Sequence, residues 1–288
     1  MTGGSDLANW VEGIVNAFVR ESPENTLRNE ADERAWADPL VGFSSGADTL
    51  YMFYKQDIGS FFLTPLEWFT VSFPGTEVDP EELTVISWIL PQTEATKADQ
   101  RQRNALTSER WARSRIFGEE ANMKLRRQVT ETLTRAGYPA VAPMLSPLWK
   151  GETSVKYGFA STWSERHAAY AAGLGTFGLC DGLITPVGKA MRAGSVIACI
   201  DIRPSARPYR DRHDYCLFYM KGTCGECMRR CPAGAISERG HDKAKCSRYL
   251  DATRGYVEST FGFEGYGCGL CQTGVPCESC IPPELVVR

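Results

Sequence analysis

Cys224-Gly-Glu-Cys227-Met-Arg-Arg-Cys231-Pro232-Ala-Gly-Ala-Ile236 is the stretch on which the reading of this 288-residue chain turns. It sets three thiols at short, fixed intervals and closes them with a proline. Nine of the eleven cysteines lie beyond residue 215: Cys216, this run, Cys246, and a second burst of Cys268, Cys271, Cys277 and Cys280. Thiols this dense, with no secretory context, are metal ligands before they are disulfides. Thiolate sulfur is a soft donor, suited to zinc or to iron-sulfur clusters.

The spacing Cys-x2-Cys-x3-Cys-Pro separates those two metals, because it is the tail of a bacterial ferredoxin run, in which the cysteine before proline reaches across to a second cluster. Zinc ribbons also pair Cys-x2-Cys, but a ribbon has no use for the Cys-Pro-Ala-Gly-Ala-Ile ending, so zinc is the weaker alternative. Two irregularities stand out. The usual first ligand position falls on Lys221, which leaves Cys216 to substitute from further upstream, and Cys271-Gln-Thr-Gly-Val-Pro-Cys277 is longer than the usual gap. Cys180 and Cys199 sit in apolar sequence and read as small core hydrophobes, and Cys280 as a bystander or spare ligand.

Composition agrees with a folded, two-part chain. At 288 residues, 43% of them hydrophobic and 23% charged, it can bury a full core in one large or two modest domains. A net charge of -3 and a pI near 5.8 give no basic footprint for nucleic acid. No apolar run is long enough to span a bilayer, and Met1-Thr-Gly-Gly-Ser-Asp6 has no basic or apolar leader region. The expectation is a cytoplasmic protein, in a compartment where thiols stay reduced.

Ahead of the cysteines the pattern mixes helix and strand. Leu7, Trp10, Val11, Ile14, Val15 and Phe18 recur at helical spacing. Leu83-Thr-Val-Ile-Ser-Trp-Ile-Leu90, closed by Pro91, reads as a buried strand, and so does Gly194-Ser-Val-Ile-Ala-Cys-Ile-Asp201. Ser108 to Ala136 has the propensity and period of one long helix, ended by Gly137. A shorter helix covers Trp163 to Ala172. The expected fold is therefore α/β or α+β, and the change to Cys, Gly and Arg after Pro204 sets a boundary near residue 205. Residues 1–205 would form a cofactor and substrate domain and 206–288 the cluster domain.

Gly173-Leu-Gly175-Thr-Phe-Gly178 matches the dinucleotide fingerprint G-x-G-x-x-G, but a helix precedes it where a strand is required. Its glycines read instead as admitting a flat cofactor or a neighbouring helix to the backbone. His167 lies on the helical segment with Ala168, Ala169 and Ala172 and reads as a packed histidine rather than a catalytic one. Lys189 and Arg192 read as solvated loop charges rather than as an anion site.

Taken together, Glu165-Arg166 through Ala172-Gly-Leu-Gly-Thr-Phe-Gly178, the Ile184-Thr-Pro186 turn and the paired cysteine bursts ending in Gly267-Cys-Gly-Leu-Cys-Gln272 resemble the epoxyqueuosine reductase family, cobalamin-dependent enzymes related to reductive dehalogenases. The resemblance covers roughly residues 80–280. It implies a nitroreductase-like domain that holds a corrinoid, joined to a ferredoxin-like domain with two 4Fe-4S clusters. By that analogy Cys216, Cys224, Cys227 and Cys277 hold one cluster, and Cys231, Cys246, Cys268 and Cys271 the other. Gly173, Gly175 and Gly178 would wall the receiving cofactor.

This chain departs from the family where the family keeps an acidic proton donor, since Phe159-Ala-Ser-Thr162 stands there instead. Tyr157 and Lys156 are the nearest substitutes, in the tyrosine-plus-cation style of dehalogenases. That departure, the acidic pI and the end of the chain at Arg288 set the expectation against a tRNA substrate and for a small molecule. The first expectation is thus an oxidoreductase passing electrons from a ferredoxin- or flavodoxin-type donor through two clusters to cobalamin. The alternatives are an electron-transfer protein with no catalytic cofactor of its own, and a reductase with FMN in the N-terminal domain.

Overall fold

A computed structural model describes residues 3–286. Its centre is a four-stranded sheet in which Leu40–Ser45, Leu83–Pro91, Met191–Cys199 and Ala140–Val141 lie side by side in that order, every pair antiparallel. All nine residues of Leu83–Pro91 are buried. The continuous apolar run is explained by helices on both faces of the sheet, so alternate side chains enter different cores. Ile86, Trp88, Leu90, Val196 and Ala198 pack with Val11, Val15 and Phe18 of the Gly3–Glu21 helix and with Leu125, Val129 and Leu133 of the Glu119–Arg135 helix. Leu83, Val85 and Ile197 pack on the opposite side with Tyr51, Tyr54, Trp68 and Trp163. Each buried Val, Leu, Ile or Phe side chain among these contributes about 1.5–3 kcal/mol, so both faces resist rearrangement and hold what is mounted on them. The architecture is mixed α and β, as expected.

Pro65 opens the Pro65–Ser72 helix, with Thr64 and Glu67 forming a reciprocal capping box. Proline is well suited to that first position because its missing N–H would have no helical partner. The long helix expected over 108–136 is divided into Glu109–Arg113, a π turn Ser114–Gly118, and Glu119–Arg135. Trp36 causes the break, in our reading, by donating its indole N–H to the Gly118 carbonyl at 2.9 Å. The widened turn carries Arg115, which bonds the Tyr266 hydroxyl of the cysteine-rich half.

Beyond residue 205 the elements are short. Helix Glu226–Arg229 is one turn long, a hairpin pairs Ile236–Ser237 with Gly240–His241, and helices Lys243–Ala252 and Arg254–Phe261 follow. The core here mixes thiols with apolar side chains: Cys216 and Cys227 are buried with Tyr209, Tyr215 and Ile236, and Cys231, Cys271 and Cys277 pack against them. Polar bonds attach this half to the Glu94–Arg101 helix. Lys97 Nζ donates to Ser279 Oγ at 2.7 Å, Gln100 Nε2 to the Cys268 carbonyl at 2.5 Å, and Arg101 pairs with Glu278.

Candidate functional site

The chain folds its cysteines into two groups that are interleaved in sequence. Cys216, Cys224, Cys227 and Cys277 line one small cavity together with Lys189. Cys231, Cys246, Cys268 and Cys271 line a second, of about 280 Å³, together with Cys180, Arg166 and His241. Local structure explains how neighbours in sequence are parted. Cys224 and Cys227 bracket the start of the one-turn Glu226–Arg229 helix, whereas Cys231 follows its end, where the Ala235 N–H donates to its sulfur at 3.3 Å. Cys246 comes in on the Lys243–Ala252 helix, which Asp242 caps at its N-terminus.

The donor sets suit iron-sulfur clusters. The smaller cavity offers four thiols and the larger one five, Cys180 included, and neither lining contains a carboxylate. The larger one is instead edged by Arg115, Arg166 and Arg192. Thiols with an N–H donor and surrounding guanidinium groups complement an anionic sulfide cluster.

Two of the sequence expectations are corrected here. Cys180 is not an isolated core hydrophobe: it belongs to the same buried cluster as Cys227 and Cys271, and its thiol accepts from Lys189 Nζ at 3.4 Å. Lys189 is not a solvated loop charge either, being only 2% exposed. Cys199, half-buried at the end of its strand, and the exposed Cys280 stand apart from both groups.

A third cavity, of about 550 Å³, lies on the other side of Arg166. That volume falls within the range of cofactor and ligand pockets. Its walls are mostly aromatic. Phe53 and Tyr54 come from the Thr49–Ile58 helix, Tyr157 and Phe159 from the hairpin of Gly151–Ser154 with Gly158–Ser161, and Tyr170 from the Glu165–Ala171 helix. Tyr157 donates its hydroxyl proton to Asp57 Oδ2 at 2.6 Å, while Lys156 Nζ holds Oδ1 of the same carboxylate at 2.5 Å. Lys156 is 60% exposed and is not among the lining residues.

Asp57 was missed from the sequence. Burial raises its pKa, but the bonds from Lys156 and Tyr157 outweigh that and hold the carboxyl below the usual aspartate range. An acidic group is therefore present after all, brought from the Thr49–Ile58 helix to the place where Phe159-Ala-Ser-Thr162 lacks one. No sequence signal marked it, because the partners are a hundred residues apart.

His167 does line this cavity, its ring set between Tyr54 at 4.7 Å and Phe177 at 4.8 Å and its Nδ1 bonded to Ser164 Oγ at 2.8 Å. Burial, then the Arg166, Arg212 and Lys243 charges, hold it well below the ordinary histidine range, so it stays neutral. The glycines do something different from what was expected. Gly173, Gly175 and Gly178 do not line the aromatic cavity. A side chain at Gly173 would strike the Ala206 carbonyl, and one at Gly175 the Ile184 carbonyl, each at 2.3 Å. Their bareness serves chain packing, and Phe177 is the part of the segment that reaches the cavity.

The aromatic cavity and the larger cysteine cavity share one side chain, Arg166, which lines both. It donates to the Asp181 carbonyl. Asp181 also lines the aromatic cavity, and its carboxylate lies 3.5 Å from Nδ1 of His241, on the cysteine side. The wall between the two spaces is thus thin and charged.

Comparisons with known proteins follow the same geometry. No family model matches the chain. Epoxyqueuosine reductase of Bacillus anthracis is 32% identical over 119 residues, which make up 39% of this chain and 29% of that protein. The crystal structure of a selenomethionine-labelled epoxyqueuosine reductase superposes with a TM-score of 0.52 at 16% identity, covering 96% of this chain and 66% of the other.

The chain resembles the epoxyqueuosine reductases in sequence and in fold.

The aligned sequence nevertheless spans less than a third of that relative's length. A further epoxyqueuosine reductase structure, with a TM-score of 0.50 at 16% identity and covering 99% of this chain and 70% of the other, contains an epoxyqueuosine-modified tRNA stem loop. The stem loop bound by that neighbour is at odds with the expectation set against a nucleic-acid partner. Among the described residues, no helix is long and apolar enough to cross a membrane.

Proposed function

We propose that this chain is an iron-sulfur reductase that delivers electrons through two 4Fe-4S clusters to a corrinoid held in the aromatic cavity. Cys216, Cys224, Cys227 and Cys277 would hold one cluster, and Cys231, Cys246, Cys268 and Cys271 the other. Residues 1–205 would supply most of the cofactor and substrate walls and 206–288 most of the cluster ligands. The observation that carries this reading is Arg166, a single side chain lining both the aromatic cavity and the second cysteine group. A cofactor in the aromatic cavity would thus lie across this one side chain from the second cluster.

The cavity's aromatic walls would cover the ring faces of a flat macrocycle, and Arg166, Arg212 and Lys243 would meet amide or phosphate groups at its periphery. A corrinoid held there would supply a redox-active cobalt centre. The chain's own residues bind, exclude water and handle the proton: Tyr157 holds a proton on its hydroxyl at the cavity wall, and Asp57 with Lys156 fixes where that hydroxyl points. A small organic substrate that needs a proton on reduction matches this arrangement. Reduced thiols in such number suit the cytoplasm, with a ferredoxin- or flavodoxin-type electron donor.

Anaerobically purified protein is expected to carry iron and sulfide near eight per chain, as two 4Fe-4S clusters require, and to bind cobalamin at about one per chain in a spectroscopic titration. Cys227→Ser and Cys231→Ser are each expected to lose about half the iron, since they fall in different groups. Zinc without sulfide would overturn the cluster assignment. Full iron with no cobalamin uptake would leave an electron-transfer protein, and a flavin released by acid would put FMN in the cavity. Turnover assays with small organic substrates and with an epoxyqueuosine-bearing stem loop then decide the substrate class.

A further inference from the structure

We propose that Lys189 is a fixed counter-charge set between the two cysteine groups, raising the reduction potential of the cluster held by Cys216, Cys224, Cys227 and Cys277. The inference rests on the cluster reading above and adds a role for a residue outside both ligand sets.

Lys189 is 2% exposed, and its side chain lines the cavity that those four cysteines enclose. A lysine so deeply buried is costly, by several kcal/mol, unless anions surround it. Among the described residues, no carboxylate lies within salt-bridge distance of its ammonium; the contact it makes is with Cys180 Sγ at 3.4 Å. Glu278 is close in the chain fold, but it offers Lys189 only its backbone. The Lys189 N–H donates to the carbonyls of Cys277 at 2.8 Å and Glu278 at 3.0 Å, while the Glu278 carboxylate is taken by Arg101. The backbone of Lys189 is thereby tied to a cysteine of the first group.

Cys180 sharpens the location. It shares a buried cluster with Cys227 of the first group and Cys271 of the second and lines the second cavity, while Lys189 lines the first, so the ammonium bonded to Cys180 sits between the two groups. A cluster bound by four thiolates is anionic, and it becomes more anionic on reduction. A buried positive charge at that point stabilises the reduced form more than the oxidised one, because low-dielectric surroundings screen it poorly. Lys189 remains protonated throughout: one electron enters the cluster and one leaves, with no bond made or broken at the lysine.

The test is an EPR-monitored redox titration of the full-length, cluster-loaded chain, with iron content measured on the same samples. Lys189→Met is expected to lower one cluster's midpoint so that, at a fixed poise, its reduced-to-oxidised ratio falls about tenfold, or about 59 mV for a one-electron couple. Lys189→Arg is expected to stay within about twofold of the parent ratio, about 18 mV on the same scale. Unmoved midpoints in Lys189→Met at full iron content would overturn the proposal. Should Lys189→Met lose iron, Lys189→Gln is made beside it. Iron lost in both neutral variants but kept in Lys189→Arg supports the need for charge, whereas loss in all three shows that only the lysine's shape matters and overturns it. A parent protein without iron and sulfide would instead remove the cluster reading itself.

Discussion

Tyr157→Phe is expected to lower turnover by about 10²–10⁴-fold, the usual contribution of a positioned proton donor, while leaving KM close to that of the parent. The phenol ring stays as part of the cavity wall, so binding should survive, and what is lost is the hydroxyl that donates to Asp57 Oδ2 at 2.6 Å. Asp57→Asn tests the other end of the same bond. The carboxylate accepts from Tyr157 and Lys156 at once, and those bonds overcome the effect of burial to keep it ionised. The sign follows from the lowered pKa: the interaction is complete above the ordinary aspartate pKa and is lost as pH falls through the depressed one. The parent's pH–rate profile should therefore have an acid limb that Asp57→Asn abolishes. Lys156→Met should cost about fivefold or less, because this lysine is 60% exposed and its ion pair is screened by water. Anaerobic turnover across pH checks all three. Should Tyr157→Phe retain full kcat while Asp57→Asn is dead, the proton comes from elsewhere and Tyr157 is only wall.

The division between what the sequence made legible and what it hid follows contact distance along the chain. The two buried strands could be read because burial on both faces removes the polar alternation from Leu83–Pro91, a signal contained within nine residues. The cysteine bursts could be read because the spacing of Cys224, Cys227 and Cys231 reflects a single one-turn helix. Asp57, by contrast, meets Tyr157 across 100 positions, and nothing local distinguishes it from an ordinary helix-end aspartate. Cys180 and Lys189 were misjudged for a related reason. Local sequence shows only Leu179 beside the one and Gly188 beside the other, whereas the environment of both is set by Cys227, Cys271 and Cys277 from the far half of the chain. The glycine segment failed differently. Bareness at Gly173 and Gly175 was correctly tied to close approach, but the approaching groups are the carbonyls of Ala206 and Ile184.

Arg126→Leu is expected to destabilise the fold by about 3–5 kcal/mol, as removal of one member of a buried ion network does. Arg126 is 1% exposed and pairs with Glu119 and Glu165 at 3.0 Å each, while also donating to the Ala193 carbonyl of the sheet at 3.1 Å. Glu165 in turn accepts from the Ser195 hydroxyl, which itself accepts from Trp163 Nε1 at 2.9 Å. Leucine would fill the space and leave Glu165 buried with no cation. Burial already raises the Glu165 pKa against the pull of Arg126, so in the variant that carboxyl should take up a proton. A group whose folded-state pKa is raised stabilises the fold below its unfolded pKa and loses that contribution as pH rises through the folded one. The deficit of Arg126→Leu should accordingly shrink as pH is lowered from neutrality, and adding Glu165→Leu should recover a large part of it at neutral pH. Urea unfolding checks this as a fall in midpoint at unchanged slope. A loss below about 1 kcal/mol would mean that the network is no stronger than a surface pair. The consequence reaches the site, because Glu165 begins the helix that carries Arg166 and His167. The ion network that anchors this helix to the sheet also sets the wall between the aromatic cavity and the cysteines, so Arg126→Leu should slow electron delivery even at temperatures where the variant remains folded.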